Sequence, residues 1–184
     1  MALAYSAGMM VGSEAPPFSL PATDGGHYGL LDFAEAQVLV VVFTCNHCPY
    51  AQAVEQRLIQ LQADYTDKGV RVVAISANDA DRYPSDSFEA MVERADERGF
   101  NFPYLYDESQ AVARAYGAAC TPDIFVFDGH RRLAYNGRFD DSWKDPRKVR
   151  RQDLRLAIDA TLEGRTIDFD PVPSMGCSIK WRED

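Results

Sequence analysis

The 184-residue sequence predicts a single α/β domain, a central mixed β-sheet flanked by helices. Three observations carry this expectation. Two apolar runs, Val38 to Phe43 and Val70 to Ser76, are each followed by a stretch with helical spacing of apolar residues. Two strand-like segments, Ile124 to Phe127 and Arg132 to Tyr135, then flank Asp128-Gly129, a strong hairpin signal. A last amphipathic stretch, Val149 to Leu162, ends at Gly164.

Taken in order, residues 1–11 read as a loose leader, 12–164 as the domain, and 165–184 as an irregular C-terminal tail packing on it. Thr23-Asp24-Gly25-Gly26 predicts the turn of a short N-terminal β-hairpin. Val38 to Phe43 is continuously apolar, as a strand buried on both faces must be. The next helix is expected from Pro49 to about Thr66, with Val54, Leu58, Leu61 and Tyr65 on one face. Pro49 suits its first turn because proline has no N–H to leave unsatisfied. Gly69 stops that helix, and Val70 to Ser76 is the second buried strand. Ser85 to Arg98 reads as a helix closed by Gly99, Phe102 to Leu105 as a short edge strand, and Ser109 to Tyr116 as a short helix closed by Gly117.

Hydrophobic residues make up 46% of the chain and charged residues 26%, the balance of a soluble globular protein. A formal net charge of -9 argues against nucleic acid or an anionic membrane as the main partner. The first ten residues carry no Lys or Arg and do not read as a secretory signal. The run Val38 to Phe43 is far too short to span a bilayer. A cytoplasmic location is therefore expected, where thiols stay reduced and four cysteines point to catalysis or metal binding.

The chemistry concentrates at Cys45-Asn46-His47-Cys48-Pro49, directly after the first buried strand. A strand fixes the two sulfurs, and a following helix N-terminus favours the thiolate, the reactive form. Farther along, Thr121-Pro122 enters another strand. Strand, CxxC and helix with a distal Thr-Pro resemble the thioredoxin fold. The extended segment Gly12-Ser13-Glu14-Ala15-Pro16-Pro17-Phe18-Ser19-Leu20 resembles its peroxiredoxin-like branch, the AhpC/TSA and TlpA/ResA-type proteins. The similarity runs from about Gly12 to Gly164.

That resemblance implies a thiol–disulfide oxidoreductase needing no metal or organic cofactor. It implies Cys45 as the exposed nucleophile and Cys48 as the buried resolving thiol. It also implies a cis-Pro122, with Thr121 presenting backbone to a substrate strand opposite the CxxC. Protein or small-molecule disulfides would be substrates, and a thioredoxin or glutathione the electron donor. An imidazolium at His47 would favour the Cys45 thiolate; a solvated helix-start histidine is the plainer reading.

Two departures stand out. Leu39 occupies the place of thioredoxin's buried acid, and Thr44 that of the tryptophan before the first cysteine. The proton acceptor for the pair is thus unassigned by sequence, with Asn78 and Asp79 the polar neighbours considered and a surface turn the commoner reading for both. Cys120 and Cys177 are auxiliary thiols that the tail, anchored by Met175, Ile179 and Trp181, could bring to the site; two inert buried cysteines are the alternative.

Two rival functions follow. A thiol-dependent peroxidase would want proline and threonine seven and three residues before its cysteine, where Cys45 has Val38 and Val42 and Cys48 has Val41 and Cys45. A thiolate metal-binding module would use Cys45 and Cys48 with His47 or Cys177, although no second closely spaced ligand pair is present. His27, His130 and the small basic runs Arg131-Arg132 and Arg147-Lys148 read as solvated turns and faces.

Overall fold

The computed structural model describes residues 2–6 and 8–183. In chain order the elements are β1 (Leu3–Tyr5), β2 (Ser19–Pro21), β3 (His27–Gly29), β4 (Val38–Phe43), α1 (Pro49–Tyr65), β5 (Val70–Ser76), α2 (Phe88–Arg98), β6 (Tyr104–Tyr106), α3 (Ala111–Ala115), β7 (Cys120–Thr121), β8 (Asp123–Phe127), β9 (Leu133–Asn136), α4 (Asp153–Leu162) and β10 (Met175–Ser178). The central five-stranded sheet has the order β6-β5-β4-β8-β9. β4, β5 and β6 are parallel, while β8 runs antiparallel to β4 and β9 antiparallel to β8. Val40 pairs with Val72 on one side and Val126 on the other, which puts β4 at the centre.

Alternation along β4 divides the core. Val38, Val40 and Val42 face α1 and α4, where Val54, Leu58, Leu61, Leu154 and Ile158 meet them. Leu39, Val41 and Phe43 face the opposite layer, against Phe18, Phe33, Ala113 and Tyr116. Every residue of β4 is buried, the physical basis of its unbroken apolar run. The hairpin β2–β3 forms where Gly25 turns the chain at a φ of 83°. Among the described residues no helix is long and apolar enough to cross a membrane.

Helix starts fall later than composition suggests. α2 begins after Ser87, whose side chain accepts from the Ala90 N–H at 3.2 Å, because Pro84–Asp86 forms a separate 3-10 turn. Pro146–Lys148 makes a similar turn before α4. There the Asp153 carboxylate draws Arg138 and Arg151 to 2.5 Å each.

The two chain ends depart furthest from expectation. Of the expected leader, residues 1 and 7 lie outside the described ones, as does residue 184 of the tail. Leu3–Tyr5 is a strand, and part of the tail is a strand too: β1, β10 and β7 form a second, three-stranded antiparallel sheet. The reason is nonlocal. β10 takes the edge of β7, and its own free edge is then filled by β1. Ile179 is buried beyond the strand, and Trp181 packs against the Arg114 guanidinium at 4.5 Å.

Candidate active site

β4 delivers the chain to Thr44 and Cys45, and Cys48 is the N-cap residue of α1 with Pro49 in the first turn. Both sulfurs thus lie ahead of the helix, with Cys48 at its positive end. The Thr121–Pro122 peptide is cis, and it sits over the pair: Cys45 Sγ lies 3.5 Å from Thr121 Oγ1, and Cys48 Sγ 3.1 Å from the Thr121 carbonyl oxygen. Cys45, Cys48, Ala51 and Cys177 pack as one small cluster.

Cys45 is only 1% exposed and Cys48 is fully buried, so neither is the exposed sulfur that the resemblance implies. β10 accounts for this. Its Cys177 stands opposite Thr121 in the strand register, and the Thr121 hydroxyl donates to the Cys177 carbonyl at 3.5 Å. The Thr121 backbone expected to receive a substrate strand is therefore paired with the chain's own tail.

The electrostatics of the pair are asymmetric. Cys48 is drawn down to about 4, first by the hydrogen bond from Cys45 and, against its own burial, by Cys177, Thr121 and the Ala51 N–H. Cys45 is pushed well above the usual thiol range, first by that same bond to Cys48, then by burial and the Asp86 carboxylate. The two thiols titrate as a coupled pair whose first ionisation is favoured at Cys48 and opposed at Cys45. Cys177 is raised to about 11, chiefly by burial.

Asp86 is the residue that sequence reasoning missed. It is fully buried, at the end of the 3-10 turn before α2. Its Oδ1 accepts the backbone N–H groups of Asn46 at 2.8 Å and His47 at 3.2 Å. Its Oδ2 accepts His47 Nδ1 at 2.5 Å and Asn78 Nδ2 at 2.8 Å. One carboxylate thereby fixes the whole CxxC turn. Asn46 adds a bond from its Nδ2 to the Ser85 carbonyl and one to its Oδ1 from the Tyr104 hydroxyl. Asn78 is buried rather than a surface-turn residue, and its Oδ1 accepts the Lys180 N–H at 2.8 Å, tying this network to the tail.

His47 faces Asp86 and stacks on Tyr83, with ring centroids 5.3 Å apart. A Cys45 sulfur, a His47 ring nitrogen and an Asp86 oxygen lie within 4.8 Å of one another, the spacing a cation would need. The fit to a metal is nonetheless poor, because the carboxylate's lone pairs are already taken by four N–H donors.

Cys120 stands apart from the sulfur cluster. Its Sγ donates to the Pro122 carbonyl at 3.6 Å, and burial raises its thiol far above the ordinary range. Glu55 binds Arg94 through both oxygens, at 2.6 and 2.8 Å, and so joins α1 to α2 away from the dithiol chemistry. Beside Pro122 opens a cavity of about 250 Å³, walled by Tyr50, Val54, Pro122, Phe139, Trp143 and Met175. Tyr50 and Trp143 meet there with ring centroids 4.1 Å apart.

A dithiol at a helix N-terminus, beneath a cis-proline and at the end of a central strand, defines a protein of the thioredoxin-like class. Within that class the chain belongs to the AhpC/TSA family, whose profile matches residues 11–136. A solved structure of a conserved Geobacillus kaustophilus protein is 44% identical, with a TM-score of 0.94, covering 100% of this chain and 98% of that one. A Mycobacterium tuberculosis protein bearing the peroxiredoxin name is 30% identical over 107 residues, 58% of this chain and 63% of that one. The thiol-disulfide oxidoreductase ResA of Bacillus anthracis is 25% identical over 120 residues, 65% of each chain. The chain thus spans less than two thirds of the length of the curated relatives it matches.

Proposed function

We propose that this protein is a thiol–disulfide oxidoreductase that cycles Cys45 and Cys48 between dithiol and disulfide. The observation that supports it best is the packing of the two buried sulfurs together at the N-terminus of α1, each in contact with Thr121 of the cis Thr121–Pro122 peptide. The thiolate of the pair attacks one sulfur of a substrate disulfide, and the other substrate sulfur leaves and takes up a proton. The remaining cysteine then attacks the mixed disulfide, closes Cys45–Cys48 and releases the second substrate thiol. Two electrons pass from the cysteine pair to the substrate disulfide, and the reverse reaction oxidises a substrate dithiol.

A first attack from Cys45 requires its proton to pass to Cys48, the sulfur at which ionisation is favoured. The hydrogen bond between the sulfurs is the route, and the Thr121 carbonyl 3.1 Å away accepts the Cys48 S–H once formed. Substrate enters through the cavity beside Pro122, whose aromatic walls suit the apolar residues of a protein disulfide. Glutathione or a thioredoxin supplies electrons, in the reducing cytoplasm that the composition suggests.

The ResA-type relatives favour this reading, and the site favours it over a peroxidase. Val38 and Val42, where a peroxidatic site needs proline and threonine, are buried in β4 with their side chains in the core. Turnover measured with a protein disulfide and with hydrogen peroxide, under one thiol donor, tests the choice. Faster turnover of the disulfide is expected; faster turnover of peroxide overturns the proposal.

A further inference from the structure

We propose that Cys177 is a third redox thiol of this site and that Cys48 is shared between two alternative disulfides, Cys45–Cys48 and Cys48–Cys177. The inference rests on the exchange reading above and extends it to a residue more than a hundred positions from the CxxC. Its ground is geometric. Cys177 lies in β10 opposite Thr121, in the same cluster as Cys45, Cys48 and Ala51, and within hydrogen-bond reach of the Cys48 sulfur. β10 is held there without slack: a Cβ on Gly176 would stand 1.9 Å from the Thr121 carbonyl oxygen, so the strand lies against β7 only with glycine at that place. Asn78 and Gln110 clamp the chain just beyond, through the Lys180 N–H at 2.8 Å and the Lys180 carbonyl at 2.9 Å.

The step is a thiol–disulfide exchange within one molecule. Cys177 sulfur attacks the Cys48 sulfur of the Cys45–Cys48 disulfide, the Cys45–Cys48 bond breaks, and a Cys48–Cys177 bond forms. The proton lost by Cys177 goes to the Cys45 sulfur that leaves, so no outside oxidant is consumed. The same attack on a mixed disulfide between Cys48 and a small thiol releases that thiol with the Cys177 proton. The product fastens β10 covalently to the N-terminus of α1 and returns Cys45 to its thiol form. Cys120, which packs outside the cluster, takes no part.

Glutathione disulfide is the probe, and acid-quenched peptide mapping by mass spectrometry is the readout. In Cys45→Ser, two molecules of glutathione should be released per chain, one as Cys48 takes up the adduct and one as Cys177 resolves it, and a Cys48–Cys177 disulfide should appear. Cys45→Ser/Cys177→Ser should instead retain glutathione on Cys48. A stable glutathione adduct on Cys48 in Cys45→Ser overturns the inference, as does loss of glutathione from the double variant. Cys45→Ala repeats the test should serine disturb folding. Wild-type protein under the same treatment separates the two claims. Formation of Cys45–Cys48 there, with a stable adduct in Cys45→Ser, removes the third thiol alone; failure to form either disulfide of Cys48 removes the exchange reading as well.

Discussion

Replacing Cys48 with serine is expected to abolish disulfide turnover and to remove the thiolate that reduced protein otherwise holds at neutral pH. Cys45→Ser is expected to lose all turnover through the Cys45–Cys48 couple, leaving only what Cys48 and Cys177 support, while keeping that thiolate. The difference follows from where the charge rests. Cys48 is held at about 4 first by a donor at position 45, and a serine hydroxyl still donates there. Cys45 has burial and the Asp86 carboxylate against its ionisation, so Cys48→Ser leaves a thiol that titrates above the ordinary range. Ultraviolet thiolate absorbance against pH reads both variants directly. The linkage has a definite sign. Cys48 binds its proton less tightly in the folded chain, where it titrates near 4, than in the unfolded chain, near the ordinary 9.0. Its contribution to stability is complete above about pH 9 and is lost as pH falls through about 4. Denaturant unfolding of reduced wild type and Cys48→Ser should therefore show a stability difference that grows with pH across that window. A difference that is flat with pH contradicts the placement of the charge.

Gly176→Ala is expected to open the site. The obstacle at position 176 is backbone, the Thr121 carbonyl beneath the cis-Pro122 peptide, which cannot rotate away as a side chain would. β10 must therefore lift from β7, and β1, which pairs with β10, loses its sheet as well. Overpacking of this kind costs about 1–3 kcal/mol, which in a chain of this size lowers Tm by roughly 2–10 °C. The uncovered sulfurs should react faster with a bulky alkylating reagent than those of wild type, where Cys45 and Cys48 are buried. Gly176→Val should exaggerate both effects. A variant with wild-type Tm and wild-type alkylation would mean that β10 does not cover the dithiol.

What the sequence could reveal follows from how local each signal is. Val38 to Phe43, the CxxC and Pro49 are contiguous, so strand, turn and helix could be read together from one short stretch. Thr121-Pro122 was legible for the same reason, a dipeptide ahead of an apolar strand. β10 was not. Met175-Gly176-Cys177-Ser178 has no strand signature of its own and is ordered by pairing with β7, more than fifty residues earlier. Leu3–Tyr5 is in turn ordered by β10. Asp86 is the plainest case: in Tyr83-Pro84-Ser85-Asp86-Ser87 it looks like one more solvated turn residue. It is buried because Asn46, His47 and Asn78 converge on it from two other loops, a fact that no local window contains. The buried carboxylate next to Cys45 is thus supplied from a different part of the fold, and its oxygens are engaged in holding the CxxC turn.

The most direct test of the dithiol claim is a redox titration of wild-type protein against glutathione, with acid quenching and disulfide mapping at each ratio. Cys45 and Cys48 should oxidise together as a single two-electron couple. Because a stabilised thiolate favours the reduced form, the couple should be less negative than that of a thiol pair without such stabilisation. Cys45 and Cys48 that remain thiols across the whole glutathione range, or a glutathione adduct that neither cysteine of the pair resolves, would contradict it.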